Sequence, residues 1–428
     1  LKHRLAILAH IEPESLPYNL VLLKYLRCQQ KAGRPIYLAT ASNIGIAQAV
    51  ARHLQLFGAV IASDENANKS GSAKLDAIRE HARCASFAYA GNSWDDWPLF
   101  KAADHVILVN TSSRLKKEVL AKCRVAGSFM DRQERFRALV ETMRPHQWAK
   151  NILLFIPMLT SHYWADFSRV LALGKAFLSF SLMASCVYFI NDMLDTQSDR
   201  THPTKCKRAF ASGRLSYSHG VGFAAALAAI AALLAINVST HFALALLLYL
   251  ALTVIYSVWL KRVVLLDVLM LATLYTLRVI AGASVIQVTL TFWLLAFSVL
   301  LFFGLATLKR CAELSILQQK GITASAGRDY QVVDMGVLKM MGLASCYLAV
   351  LVSGLYFNSP DVSRLYMSPH ALWFVCPLLL YWVRRMWLLS DRRQMNEDPV
   401  LFAVRDKCSL AIMFMIGVLV VAAAKGLV

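Results

Sequence analysis

Apolar residues follow two patterns along the chain. Up to about residue 125, short β-branched runs alternate with amphipathic helical stretches; from Gln147 onward, long apolar segments are separated by short charged loops. The short runs are Pro35-Ile-Tyr-Leu-Ala-Thr40, Ala59-Val-Ile-Ala-Ser63, Ser86-Phe-Ala-Tyr-Ala90 and His105-Val-Ile-Leu-Val-Asn110. Their alternation with helical stretches predicts a soluble α/β domain with a parallel sheet over 1–125. The long segments fall at 147–163, 170–191, 217–237, 240–259, 264–286, 288–307, 337–357, 370–389 and 408–427. Each approaches the roughly 20 residues a helix needs to cross a bilayer, which predicts an all-α membrane bundle of nine transmembrane helices over 145–428. Residues 113–144 are charged and helical in pattern. Their second part, 126–144, reads as an amphipathic linker near the anionic inner leaflet, with a surface helix free of lipid as the alternative.

Composition agrees with this multi-domain division. Hydrophobic residues make up 57% of the 428 positions, too many for an ordinary soluble chain. The formal charge of +19 sits in short segments between apolar runs and forms no continuous stripe, which excludes nucleic acid as the expected partner. Charge instead sorts the loops. One side carries Arg200, Lys205, Lys207, Arg208, Arg214, Lys261, Arg262, Lys309, Arg310, Lys320, Arg328, Arg384, Arg385, Arg392, Arg393, Arg405 and Lys407, the other Arg169 and Arg364. By the positive-inside rule the α/β domain and the basic loops face the cytoplasm of an inner membrane, with the C-terminus outside. The nine cysteines form no CxxC pair and no Cys/His cluster, so reduced thiols and no structural zinc are expected. The chain begins at Leu1 without a Met and without a signal-peptide pattern, which leaves room for residues upstream.

The densest chemistry lies at Asn191-Asp192-Met193-Leu194-Asp195-Thr196-Gln197-Ser198-Asp199-Arg200, at the end of the second apolar segment. On one continuous helix, Asn191, Asp195 and Asp199 drift by about 80°, with Asp192 beside them. An acidic face at the edge of a membrane needs a cation, and this spacing of oxygen donors suits magnesium. The plainer alternative is a helix end emerging into water.

Polar residues recur at the cytoplasmic ends of other segments. Arg144, Lys150 and Asn151 open the first. Asp267, Tyr275 and Arg278 form one stripe of the fifth, where a buried Arg278 calls for an anionic partner or an internal pair with Asp267. Lys309, Arg310 and Glu313 end the sixth, and Lys261 with Arg262 precedes the fifth; both groups read equally as substrate contacts or topology-setting charges. An acidic metal face combined with converging Lys and Arg fits a magnesium-bound diphosphate, with the apolar helices receiving a lipid tail.

In the first region, polar residues follow the strand ends: Thr40 and Ser42, then Lys69 and Lys74, then Gly91-Asn92-Ser93-Trp94-Asp95-Asp96. Ligands of open α/β sheets bind at such ends. Over about 30–112 these residues resemble the haloacid-dehalogenase-like phosphatase fold. The resemblance implies that Thr40 and either Lys69 or Lys74 hold a phosphoryl group and that Asp96 helps to bind magnesium. Asn92 stands where that family usually has Asp, and no Asp-x-Asp motif precedes Thr40, so a degenerate or regulatory domain is expected over an active phosphatase.

In the membrane region, Asn191-Asp-x-x-Asp-x-x-x-Asp199 resembles the first acidic motif of the UbiA superfamily of intramembrane prenyltransferases. Arg144-Pro-His-Gln-Trp-Ala-Lys-Asn151, His202-Pro-Thr-Lys-Cys-Lys-Arg208, Ala211-Ser-Gly213, Leu277-Arg-Val-Ile-Ala-Gly282 and Glu397-Asp-Pro-Val-Leu-Phe-Ala403 are similar to its decaprenyl-phosphate phosphoribosyltransferase branch. Asp267 has Leu271 four residues on, where the aromatic prenyltransferases usually pair aspartates, so a second metal cluster is not expected. The resemblance implies transfer of 5-phosphoribose from phosphoribosyl diphosphate to a polyprenyl phosphate. Magnesium would lie on Asn191, Asp192, Asp195 and Asp199, with phosphates on Lys150, Lys205, Lys207, Arg208, Lys261, Arg278, Lys309 and Arg310. A prenyl transfer to an aromatic or other small acceptor is the rival reaction. A non-catalytic membrane scaffold is the rival outside enzymology.

Overall fold

A computed structural model of the chain describes residues 12–64, 67–82, 86–129, 132–201, 204–324, 328–395 and 398–426. His202 and Glu397, both within quoted motifs, lie outside them. The chain divides into two compact units, one of residues up to 142 together with 192–219, the other of 143–191 together with 220–428.

In the first unit, α1 (Leu20–Lys31) precedes β1 (Tyr37–Asn43), α2 (Ile44–Leu54), β2 (Ala59–Ser63) and α3 (Ser72–Ala82). Then come β3 (Ala88–Gly91), α4 (Trp97–Ala102), β4 (His105–Val109), α5 (Ser113–Lys122), β5 (Val125–Phe129) and α6 (Arg132–Met143). All pairings are parallel, β1 with β2 in one sheet and β3-β4-β5 in another. The alternation of short apolar runs with helices therefore does produce parallel strands, in two small sheets. The middle strand β4 buries Val106, Ile107 and Leu108 in succession, as a strand covered on both faces must. Around it Tyr89, Leu99, Phe100, Leu115 and Val119 close the core. Helix starts are fixed locally: the Asn43 side chain accepts from Gly45 N–H, and Ser112 from Leu115 N–H. Strand β5 interrupts the stretch 113–144 that reads as helical. Its Ala, Gly and Ser residues give little apolar signal, and pairing with β4 supplies what propensity does not.

The membrane region opens with a 3-10 helix, Pro145–Phe155, that runs into the short α7 (Ile156–Thr160). The long α8 (Phe167–Leu194) follows, then α9 (Thr196–Thr201) and a 3-10 turn at Lys205–Lys207. Next come α10 (Tyr217–Val238), α11 (Thr240–Val258), α12 (Leu266–Ile286), α13 (Phe292–Gln319), α14 (Met335–Phe357) and α15 (Pro360–Leu365). The chain ends in α16 (Val375–Asp391), α17 (Pro399–Arg405) and α18 (Lys407–Lys425). Among the described residues, eight helices are long and apolar enough to cross a membrane. They correspond to the second through ninth predicted segments. The first, 147–163, is broken: Arg144 has φ 51°, Pro145 and Pro157 limit the backbone, and Lys150 and Asn151 turn polar groups inward.

Helix α12 lies at the centre of the second unit, against α11, α13 and the 3-10 segment. Two apolar clusters flank it, one around Phe302, Trp382, Met386 and Trp387, the other around Leu154, Phe180, Phe242 and Leu277. Gly282 is required here, because a Cβ would overlap the Leu154 backbone.

Candidate active site

The acidic stretch is not one helix. Helix α8 stops at Leu194 and α9 starts at Thr196, with Asp195 at the break. The Thr196 hydroxyl donates to the carbonyls of Asp192 and Met193, and Asp199 N–H donates to the carbonyl of Asp195, so both sides of the break are satisfied. Asp192 and Asp199 are buried, and both accept from Nη1 of Arg208, at 3.2 and 2.8 Å. Asn191 and Asp195 are half-buried, while Lys205 and Lys207 are exposed. Among the described residues no group of three metal-ligating side chains is assembled. The donor set still suits magnesium in its chemistry, with hard oxygen ligands outnumbering the one guanidinium that two of them share. Arg208, expected on substrate, here faces the carboxylates.

In the second unit a polar centre lies among apolar helices. Asn151 is 1% exposed; its Nδ2 donates to Ser181 Oγ at 2.9 Å and its Oδ1 accepts from Arg278 Nε at 3.0 Å. Arg278 also donates to the Leu274 carbonyl and to Tyr249 Oη, at 2.6 and 3.2 Å. The rings of Phe180, Tyr249 and Tyr275 surround its guanidinium at 4.9 to 5.5 Å. Among the described residues none of these partners is a carboxylate. The internal pair with Asp267 does not form, since Asp267 instead meets Arg310 at 2.8 Å and accepts from Tyr330 Oη at 2.7 Å.

Beside Arg278, Asp398 Oδ2 accepts from Lys150 Nζ at 2.9 Å and Lys309 Nζ at 3.0 Å, and Oδ1 accepts from Tyr275 Oη at 2.9 Å. Burial pushes the Asp398 carboxyl up, but Lys309 and Lys150 outweigh it and hold the group well below the usual carboxylate range. Arg310 is 1% exposed and paired with Asp267 and Glu313. Arg144 stacks over Tyr188 at 4.9 Å, and Lys261 is half-buried in the turn Leu260–Arg262. Trp148 Nε1 donates to Ser185 Oγ at 3.0 Å, which ties the start of the 3-10 segment to α8.

In the α/β unit, Lys74 and Asp96 meet at 2.9 Å and Tyr89 Oη donates to the same oxygen at 2.8 Å. The backbone N–H groups of Asn92 and Ser93 donate to the other oxygen at 3.2 and 3.3 Å. Burial raises the Asp96 carboxyl, but the bonds from Lys74 and Tyr89 prevail and lower it. Of the two lysines considered, Lys74 is the one beside Asp96; Lys69 offers its backbone N–H to Ser63 Oγ. Thr40 accepts from Ser42 N–H at the end of β1. Both oxygens of Asp96 already carry internal donors, which is a poor fit for a metal ion.

Residues 154–424 match the UbiA prenyltransferase family. The chain belongs to this family. An uncharacterised protein of Sinorhizobium fredii, y4nM, is 36% identical over 414 residues, which cover 96% of this chain and 80% of the relative. The nodulation protein NoeC of Azorhizobium caulinodans is 34% identical over 278 residues, 64% of this chain and 89% of NoeC. Decaprenyl-phosphate phosphoribosyltransferase of Mycobacterium tuberculosis is 29% identical over 251 residues, 57% of this chain and 82% of its own. A UbiA homologue from Archaeoglobus fulgidus, solved bound to GPP and Mg2+, superimposes with a TM-score of 0.51 at 14% identity. It covers 67% of this chain and 99% of that one.

Within this UbiA chain, sequence reasoning passed over Asp398 as a site residue. Its signal was available in Glu397-Asp-Pro-Val, where Asp before Pro reads as a helix cap, but capping alone does not reveal two lysines arriving from distant segments.

Proposed function

We propose that this UbiA-family transferase moves 5-phosphoribose from phosphoribosyl diphosphate to a polyprenyl phosphate, releasing diphosphate. One observation carries the reading: among the described residues Lys150 and Lys309 share one carboxylate, Asp398, and the buried Arg278 beside them has none. Such an excess of positive charge among apolar helices is stabilised by a phosphate-bearing ligand. Two further facts favour phosphoribose over prenyl transfer. Among the described residues Asp267 is paired with Arg310, and relatives across the membrane region include decaprenyl-phosphate phosphoribosyltransferases.

In this scheme Lys150, Lys309 and Arg278 bind phosphate oxygens, and Asn151 and Tyr275 orient them. Arg144, Lys205, Lys207, Arg208 and Lys261 add cationic contacts. Magnesium on Asn191, Asp192, Asp195 and Asp199 would neutralise charge on the leaving diphosphate. The bond between ribose C1 and the diphosphate oxygen breaks, and a bond from C1 to the polyprenyl phosphate oxygen forms. That phosphate has its second pKa at about 6, so it is largely dianionic at neutral pH and no general base is required. His146 and His202 are therefore dispensable for chemistry. The α/β unit acts as a non-catalytic, phosphatase-like domain, which the internal bonding of Asp96 supports. The charge of the basic loops supports a position for this chemistry at the cytoplasmic face of an inner membrane.

The test is purified protein given radiolabelled phosphoribosyl diphosphate and a polyprenyl phosphate. Labelled lipid with diphosphate release is the expected result. Label that stays water-soluble, together with transfer from a prenyl diphosphate to an aromatic acceptor, would overturn it in favour of prenyl transfer. If Asp192→Asn and Asp195→Asn left the cellular function intact, a scaffold role would replace both.

A further inference from the structure

We infer that Asp398 is the positioning residue of the phosphate-binding centre, holding the two lysine ammonium groups together for an anion that they bind jointly. The inference rests on the reading of this centre as a phosphate site.

Two ammonium groups sharing one carboxylate oxygen repel one another, and more strongly in a poorly solvated interior than in water. Lys150 comes from the 3-10 segment and Lys309 from α13, and both Nζ atoms converge on Asp398 Oδ2. Without that negative charge they would swing apart. Each ammonium has three donors and gives one to Asp398, which leaves others for a ligand.

The carboxylate itself is fixed from two further sides. As N-cap of α17, its Oδ1 accepts from Val400 N–H at 3.2 Å, with Pro399 opening the helix. The Tyr275 hydroxyl donates to the same Oδ1 from α12. Asp398 thus joins four segments, the 3-10 segment, α12, α13 and α17, through one side chain. Nothing else among its described partners is acidic. The centre therefore keeps its net positive charge while its cations stay in register.

This arrangement makes Asp398→Asn a clean probe. Asparagine is an equally good N-cap, and its amide oxygen can still accept from Tyr275, so the main loss is the charge that gathers the lysines. Full-length protein in nanodiscs is assayed with whichever substrate pair turns over, and binding is measured separately with inorganic diphosphate, the leaving group in either reaction. We expect kcat to fall by about tenfold to a hundredfold and diphosphate to bind about tenfold more weakly, because the two ammonium groups no longer meet one anion together. A merely structural role would lower the melting temperature and leave kcat per folded molecule, and the diphosphate affinity, unchanged. Wild-type kcat within about twofold, or diphosphate binding as tight as in wild type beside a lowered kcat, overturns the inference. If Asp398→Asn does not fold, Asp398→Glu serves instead. It keeps the charge but displaces the lysines, and wild-type kcat in that variant likewise overturns the inference. Failure of phosphoribose transfer with prenyl transfer intact would instead sink the functional reading and leave this one standing.

Discussion

The guanidinium of Arg278 and the amide of Asn151 meet at 3.0 Å, Nε–H to Oδ1, although 127 residues separate them in the chain. The bond joins α12 to the 3-10 segment and makes an amide, in place of a carboxylate, the polar partner of a buried cation. Replacing Asn151 by Leu leaves that Nε–H unpaired and removes the bond to Ser181. We expect a loss of about 1–3 kcal/mol, read from thermal unfolding in detergent, and a sharp drop in transfer activity.

The same junction depends on Gly282, whose missing side chain lets α12 approach the Leu154 backbone. Gly282→Ala must push the 3-10 segment away, and with it Lys150 and Asn151. The expected cost is about 1–3 kcal/mol, with activity falling more than stability alone explains. Gly222→Ala on α10, where an added Cβ meets nothing within 4 Å, is the control and should be neutral or slightly stabilising.

Asp267 and Arg310 form a buried pair; without Arg310, Asp267 would be an uncompensated charge, whereas without Asp267, Arg310 would keep Glu313. Arg310→Met should cost about 3–5 kcal/mol and Asp267→Leu less, while the double variant recovers much of the loss from Arg310→Met. A double-mutant cycle on melting temperatures checks this. If Arg310 bound substrate, the double variant would regain stability without activity.

Asp192 and Asp199 share Arg208. Asp192→Asn and Asp199→Asn should each raise the magnesium concentration needed for half-maximal turnover, and chelation should abolish activity in the wild type. A magnesium titration of each variant measures the shift. Unchanged magnesium dependence in both would remove this stretch from the metal site.

Asp406 caps α18 through Ser409 N–H and pairs with Arg385 at 2.6 Å. Hydrogen bonds from Arg385 outweigh desolvation and, with those from Ser409, hold its carboxyl down to about 2, from 3.8. A lowered carboxyl contributes stability that is complete above 3.8 and lost as pH falls through about 2. Melting temperature should therefore fall across that window in the wild type, and fall less steeply in Asp406→Asn, which keeps the cap but not the titrating charge.

The segments were legible because periodicity and length are local quantities. Strand-length β-branched runs became β1 to β4, and apolar stretches near the required length became the eight long helices. The acidic residues announced themselves by their depth in an apolar context. Composition alone established a membrane protein. Strand β5, the 3-10 opening and the break at Asp195 were not legible, because neighbour pairing, a close backbone approach and a threonine back-bond decide them.

Tertiary structure also decided which charge meets which. Arg278 takes Asn151 and Tyr249, Asp267 takes Arg310, and Asp398 gathers Lys150 and Lys309. Each of these groups is visible in the sequence as a polar residue near an apolar segment, but its partner comes from a helix tens to hundreds of residues away. Helix packing brings those side chains within 3 Å or so, and in a poorly solvated interior that distance determines whether a charge is satisfied internally or is left for a ligand.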